Sequence, residues 1–110
     1  MSVRIRRNLA TLQKLYKSSA ATRRVILNNA GPDFINTLCE IAVNILKGKI
    51  PLTRRQYTQL QKTKSELRTL ASKATSIKRK KSLVTQTGGA FFLPAIAAAI
   101  PFLTALFSRG

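Results

Sequence analysis

Charge is split sharply along this chain, and the split limits how it can fold. Residues 1–87 carry 19 of the 20 Lys and Arg, whereas residues 90–107 are 18 positions without one charged side chain. Asp33, Glu40 and Glu66 are the only carboxylates, which leaves a net charge of +17 over 110 residues. Self-repulsion of that size opposes compaction. A chain this short forms at most one small domain with appendages, and buries only about 60–65% of its unfolded surface. The surplus of cations therefore points to a polyanion as the working partner.

The residue inventory excludes most chemistry. Cys39 is the single cysteine and there is no histidine. No internal disulfide, zinc cluster, histidine base or Ser-His pair can be built from such a set. Asp33 and Glu40 fall in one short helix as capping and surface residues, so a paired-acid site is not expected. The reading is a non-enzyme with no cofactor and no metal. Cys39 lies beside Leu38 on an apolar stripe and reads as a buried, inert thiol.

Apolar spacing predicts helices throughout. Ile5, Leu9, Leu12 and Tyr16 mark one face of a first helix, with Arg4, Arg7, Lys14 and Lys17 on the remainder. This basic amphipathic start lacks the apolar core of a secretory signal; it matches a mitochondrial presequence or any basic surface helix. Ser18 and Ser19 interrupt it, and a shorter helix with Arg23 and Arg24 runs on to Gly31. Pro32 and Asp33 suit a helix start, Phe34, Leu38, Ile41, Ala42, Ile45 and Leu46 form a broad stripe, and Gly48 supplies a left-handed stop. Thr53 and Gln56 fit a capping box. From there Tyr57, Leu60, Leu67, Leu70 and Ala71 predict one long helix to about Lys73, or even Lys81, because residues 53–87 contain no Gly or Pro. It should fold back as a hairpin on the Phe34 helix.

That helix is the strongest functional signal. Between Thr53 and Ser82 stand ten basic residues (Arg54, Arg55, Lys62, Lys64, Arg68, Lys73, Lys78, Arg79, Lys80 and Lys81) against Glu66 alone. Unpaired cations on a helix bind phosphate backbone by releasing counterions, without reading sequence. No zinc-finger spacing, aromatic RNA-recognition motif or basic zipper is present. The candidate phosphate contacts are those ten, followed by Arg4, Arg6, Arg7, Arg23 and Arg24. The run at residues 78–81 also fits a short nuclear-import signal or a solvated helix end. Anionic lipid attracts the same helices, so charge alone does not separate nucleic acid from membrane.

The uncharged tail begins after Gly88 and Gly89. It is slightly short of the ~20 residues a spanning helix prefers, and Pro101, seven after Pro94, is expected to kink or end a helix. Three readings remain open: a tail anchor, a segment packed on the helical domain, or an apolar peptide exposed during function.

The segment "GGAFFLPAIAAAIPFLTAL" resembles the C-terminal part of the adenovirus core protein X (mu precursor) family. There a basic DNA-condensing part is followed by Gly-Gly, an apolar residue, Leu-Pro and an Ala/Ile/Leu/Pro tail. The arrangement is also similar to the X-type proteins of adintoviruses and Maverick/Polinton elements, which join a Lys/Arg-rich helical region to such a tail and resemble residues 34–84 as well. With adenovirus itself the likeness covers the tail and the charge plan alone. It implies a virion core protein in the host nucleus that condenses double-stranded DNA, with capsid proteins, a viral cysteine protease and membrane as further partners. It also implies a cleavage site over Gln86, Thr87, Gly88, Gly89 and Ala90, cut after Gly89, since two glycines let an extended strand enter a narrow cleft.

The expectation is thus an all-α protein: a basic helical domain over 1–81 with a helical hairpin, a diglycine linker over 82–89, and a hydrophobic tail over 90–110. Phe91, Phe92, Ile96, Ile100, Phe102, Leu103 and Phe107 are the expected membrane or capsid contacts. The alternatives are a membrane-active protein whose basic helices hold anionic lipid, and a histone-like chromatin protein.

Overall fold

Two left-handed glycine stops and one capping box organise the chain. The computed structural model describes residues 3–108, so the ends of the expected domain and tail, residues 1–2 and 109–110, lie outside the described residues. Among those described, eight α-helices follow one another with no strand. They are α1 (Val3–Arg7), α2 (Leu9–Lys17), α3 (Ala20–Asn28), α4 (Pro32–Leu46), α5 (Arg54–Lys62), α6 (Lys64–Ala71), α7 (Ile77–Gln86) and α8 (Leu93–Ser108), the last entered through a 3-10 turn at Ala90–Phe92. The all-α expectation holds.

α4 is the centre of the packing. Phe34, Ile35, Leu38, Ile41, Ala42 and Ile45 are all buried. Gly48, at φ 73°, ends the helix in a Schellman motif. Its N–H donates to the Ile45 carbonyl and the Lys49 N–H to that of Asn44, satisfying two free acceptors. The capping box at α5 is complete: the Gln56 N–H donates to Thr53 Oγ1, and the Thr53 N–H to Gln56 Oε1.

The long helix expected after Thr53 is two helices as far as Lys73, and a third, α7, covers the stretch to Lys81. Thr63, at φ −120° and ψ 26°, leaves the helical region and separates α5 from α6. Between α6 and α7 the Ala74 N–H donates to the Ser72 hydroxyl, and the Arg79 N–H to the Ser76 hydroxyl, which caps α7. Short hydroxyl side chains offer the backbone partners outside the helical ladder, and at Ser72 and Ser76 they turn the chain without Gly or Pro. In consequence α4 packs on α6, through Leu67 and Leu70, while α5 packs on α8. Tyr57, expected on the core face, is 56% exposed. The first helix is likewise divided at Asn8, and buries Leu15 instead of Tyr16.

The apolar tail supplies one wall of the core. Phe92, Ala95, Ile96, Ala99 and Leu103 are at most 1% exposed and Phe91 is buried. Ile100, Phe102 and Phe107 are partly buried against the same cluster. The radius of gyration, 12.8 Å, is that of one compact domain of about 100 residues. Pro101 does not end α8. It is exposed, and the Ala97 carbonyl it deprives of a donor lies one turn back on the same side of the helix.

Residues 82–86, expected as linker, continue α7, and the diglycine is its stop. Gly88 and Gly89 have φ of 60° and 76°. The Gly89 N–H donates to the Val84 carbonyl at 2.8 Å and the Gly88 N–H to that of Thr85 at 3.0 Å, a second Schellman motif. Both glycines are buried, and a Cβ on Gly89 would meet Leu27 Cδ1 at 3.4 Å.

Candidate nucleic-acid interface

The expected phosphate contacts fall into two sets. Several are committed to the fold. Lys80 is 6% exposed. Lys81 Nζ donates to the Ala30 carbonyl at 2.9 Å, tying α7 to the end of α3. Arg23 donates from Nε to the Gly88 carbonyl at 2.6 Å and from Nη1 to the Ser18 carbonyl at 2.8 Å. Arg4 and Arg7 form ion pairs with Asp33 at 3.4 and 2.8 Å, which dock α1 on the start of α4. Hydrogen bonds from the Asn8 amide and then from Arg7 hold the Asp33 carboxyl below its ordinary pKa. Arg6 lies over the Phe107 ring, 5.7 Å from its centre. Lys64 is half-buried and lines a cavity between the end of α4 and the α5–α6 pair.

The rest stand out from the surface. Arg54, Arg55 and Lys62 are exposed, and with Thr58 and Gln59 they line one shallow concavity on α5. Arg68 on α6, Lys73 in the following link, Lys78 and Arg79 in the first turn of α7, and Arg24 on α3 are exposed as well. Glu66 shares a groove between α6 and α7 with Arg79, and no Glu66–Lys62 ion pair forms.

The placement of four of these cations is electrostatically unfavourable in the free protein. Arg54 and Arg55 open α5, and Lys78 and Arg79 sit in the first turn of α7, with no acid in the first turn of either helix. A helix N-terminus carries a partial positive charge and favours anions, so cations there repel both it and each other. A bound phosphate chain relieves both repulsions together.

Four exposed cations stand outside the expected phosphate contacts: Lys47 and Lys49 on either side of Gly48, and Lys14 and Lys17 on α2. The available signal was that residues 47–55 hold four cations and no acid, in the link that leads straight into α5. Among the described residues no group of acidic or cysteine side chains could hold a metal ion. Among the described residues the exposed cations are dispersed point charges spread over α2, α3, α5, α6 and α7. No protein-family model matches the chain, and no curated protein and no solved structure matches it either.

Proposed function

We propose that this protein binds double-stranded DNA without sequence preference and condenses it. The observation that carries the reading is the pairing of exposed, uncompensated cations with the positive ends of α5 and α7. If six to eight side chains of the exposed set engage phosphates, affinity falls with salt at a log–log slope of about −5 to −7. The resemblance to core protein X supports a virion as the setting, with the genome as ligand and capsid proteins as neighbours. Release of the tail after Gly89 belongs to that reading as a later step. It needs the α7–α8 turn to open first, because a protease cleft takes an extended strand and this turn is folded against α3. A membrane-first role has the further requirement that Phe92, Ile96 and Leu103 leave the core.

The test is a titration of the full chain against duplexes of unrelated sequence between low and physiological salt. Equal affinities that fall together by orders of magnitude support the proposal. Strong preference for one duplex, or binding indifferent to salt, rejects it.

A further inference from the structure

A second site lies away from the exposed cations of α5 and α7. The end of α4, the link after Gly48 and the inner side of α5 and α6 enclose a cavity of about 460 Å³. That is the size of a small-molecule pocket, commonly about 300–1,000 Å³. Its wall is mixed: Leu46, Ile50, Leu52 and Leu60 are among its aliphatic residues, while Tyr57, Gln61, Lys64 and the backbone bring polar surface of nearly equal extent. Leu46 and Tyr57 are 39% and 56% exposed, so the wall is open at one side. No carboxylate lines it, and Lys64 forms no ion pair among the described residues.

We infer that this cavity binds the hydrocarbon chain of a single-tailed carboxylate, a fatty acid, with Lys64 holding the headgroup. The aliphatic part of the wall gains from removing methylenes from water. The ammonium of Lys64, the one charged side chain of the lining, selects a lone negative charge over a neutral or cationic end. Lys47 and Lys49, on either side of the lining residue Gly48, bias the approach the same way. A DNA backbone brings no chain to fill the bore. A nucleobase would meet one aromatic ring and few donors or acceptors, too little for stacking and edge recognition together.

Calorimetry with monomeric dodecanoate at physiological salt tests this on the full chain, with Tyr57 emission in a Tyr16→Phe background as the second readout. One equivalent is expected to bind, tightening about threefold or fourfold per added methylene from octanoate upward until the bore is full. Dodecyltrimethylammonium, of equal chain length and opposite charge, should bind at least tenfold more weakly. Lys64→Glu and Leu46→Glu should each weaken dodecanoate at least tenfold. Lys14→Glu, with the same charge change as Lys64→Glu but on α2, should leave it within twofold. Thermal melts establish that each variant is folded. Many equivalents without chain-length saturation, or equal losses from Lys14→Glu and Lys64→Glu, overturn the site in favour of general charge. So does binding to phosphatidylglycerol vesicles alone. Thymidine monophosphate binding in place of dodecanoate overturns it in favour of a base pocket.

Discussion

The Arg23 guanidinium donates to the carbonyl of Gly88, 65 residues further along the chain, at 2.6 Å. The same side chain holds the Ser18 carbonyl just before α3. One part-buried cation therefore ties the start of α3 to the stop of α7, and with it the entry to α8. The diglycine is a docked corner and not a free hinge.

Arg23→Met keeps much of the stem and removes both hydrogen bonds. It should lower stability by about 1–3 kcal/mol, the range for bonds to a charged donor in a half-buried setting. Urea unfolding measures that loss. Limited digestion with a protease of broad specificity reads the corner itself: cuts within residues 87–90 should appear in Arg23→Met and be slow in the parent chain. Equal cutting in both proteins means the corner opens regardless of Arg23.

Removing the tail should unfold the protein. Phe92, Ile96 and Leu103 are at most 1% exposed, and all leave the core together in a chain stopped after Gly89. Truncating one such side chain to Ala typically costs about 2–5 kcal/mol. Losing several exceeds the roughly 5–15 kcal/mol that holds a domain together. Circular dichroism of the 1–89 fragment should show no cooperative melt, and Ile96→Ala in the full chain a lowered one. A cooperative melt for the fragment would mean that α1 to α7 form a core without α8.

Much of the centre of the fold was legible in the residues. Pro32, Asp33 and Gly48 bound α4, and Thr53 with Gln56 forms the expected box. These are local signals, each satisfied within a few residues. The end of α6 at Ala71 falls close to the nearer expected end at Lys73. The breaks at Asn8 and Thr63 were not legible: neither side chain caps the helix that follows, and the Asn8 amide is spent on Asp33 and Thr37 of α4. The tail was ambiguous for a different reason. A helix that is apolar on nearly every side fits a bilayer and a protein core equally well in composition. Of the site, the basic surplus was visible, but not which cations the fold consumes: Arg23, Lys80 and Lys81 look identical in sequence to Arg24, Lys78 and Arg79.

The two faces of the α4–α5 region give a sharp contrast. Leu38 is 1% exposed, and its neighbour Cys39 donates from Sγ to the Leu70 carbonyl across the α4–α6 contact. Leu38→Ala should cost about 2–5 kcal/mol. Tyr57→Ala, at an exposed position, should change stability by less than about 0.5 kcal/mol. Paired denaturation curves check both, and similar losses would place Tyr57 in a core it does not face.

Acid should loosen the α1–α4 contact. The Asp33 carboxyl is held below its ordinary pKa by Asn8 and Arg7, so its folded value lies under its unfolded one. The stabilisation is full above the unfolded value and is lost as pH falls through the folded one. Melting temperature should therefore drop between mildly acidic and strongly acidic buffer in the parent chain, and drop less in Asp33→Asn. Parallel curves for the two proteins across that window would show that Asp33 does not set the acid limb.

Cations that hold the fold together and cations proposed to contact DNA should separate by mutation. Arg54, Arg55 and Lys62 line one exposed concavity on α5, whereas Lys80 is buried and Lys81 is bonded to Ala30. Each phosphate contact contributes about 0.9 to the salt slope on duplex DNA. Replacing Arg54, Arg55 and Lys62 together by Gln should flatten the slope by about 2.7, weaken all duplexes alike, and leave the melt nearly unchanged. Replacing Lys80 and Lys81 by Gln should do the opposite: the melt falls, because a part-buried carbonyl loses its donor, while the slope measured below that melt stays close to the parent value. Titrations at four or five salt concentrations, set beside thermal melts, give both numbers for both variants. Equal slopes in the parent and the α5 variant would remove that concavity from the interface and shift the DNA contacts to Lys78, Arg79 and Arg24.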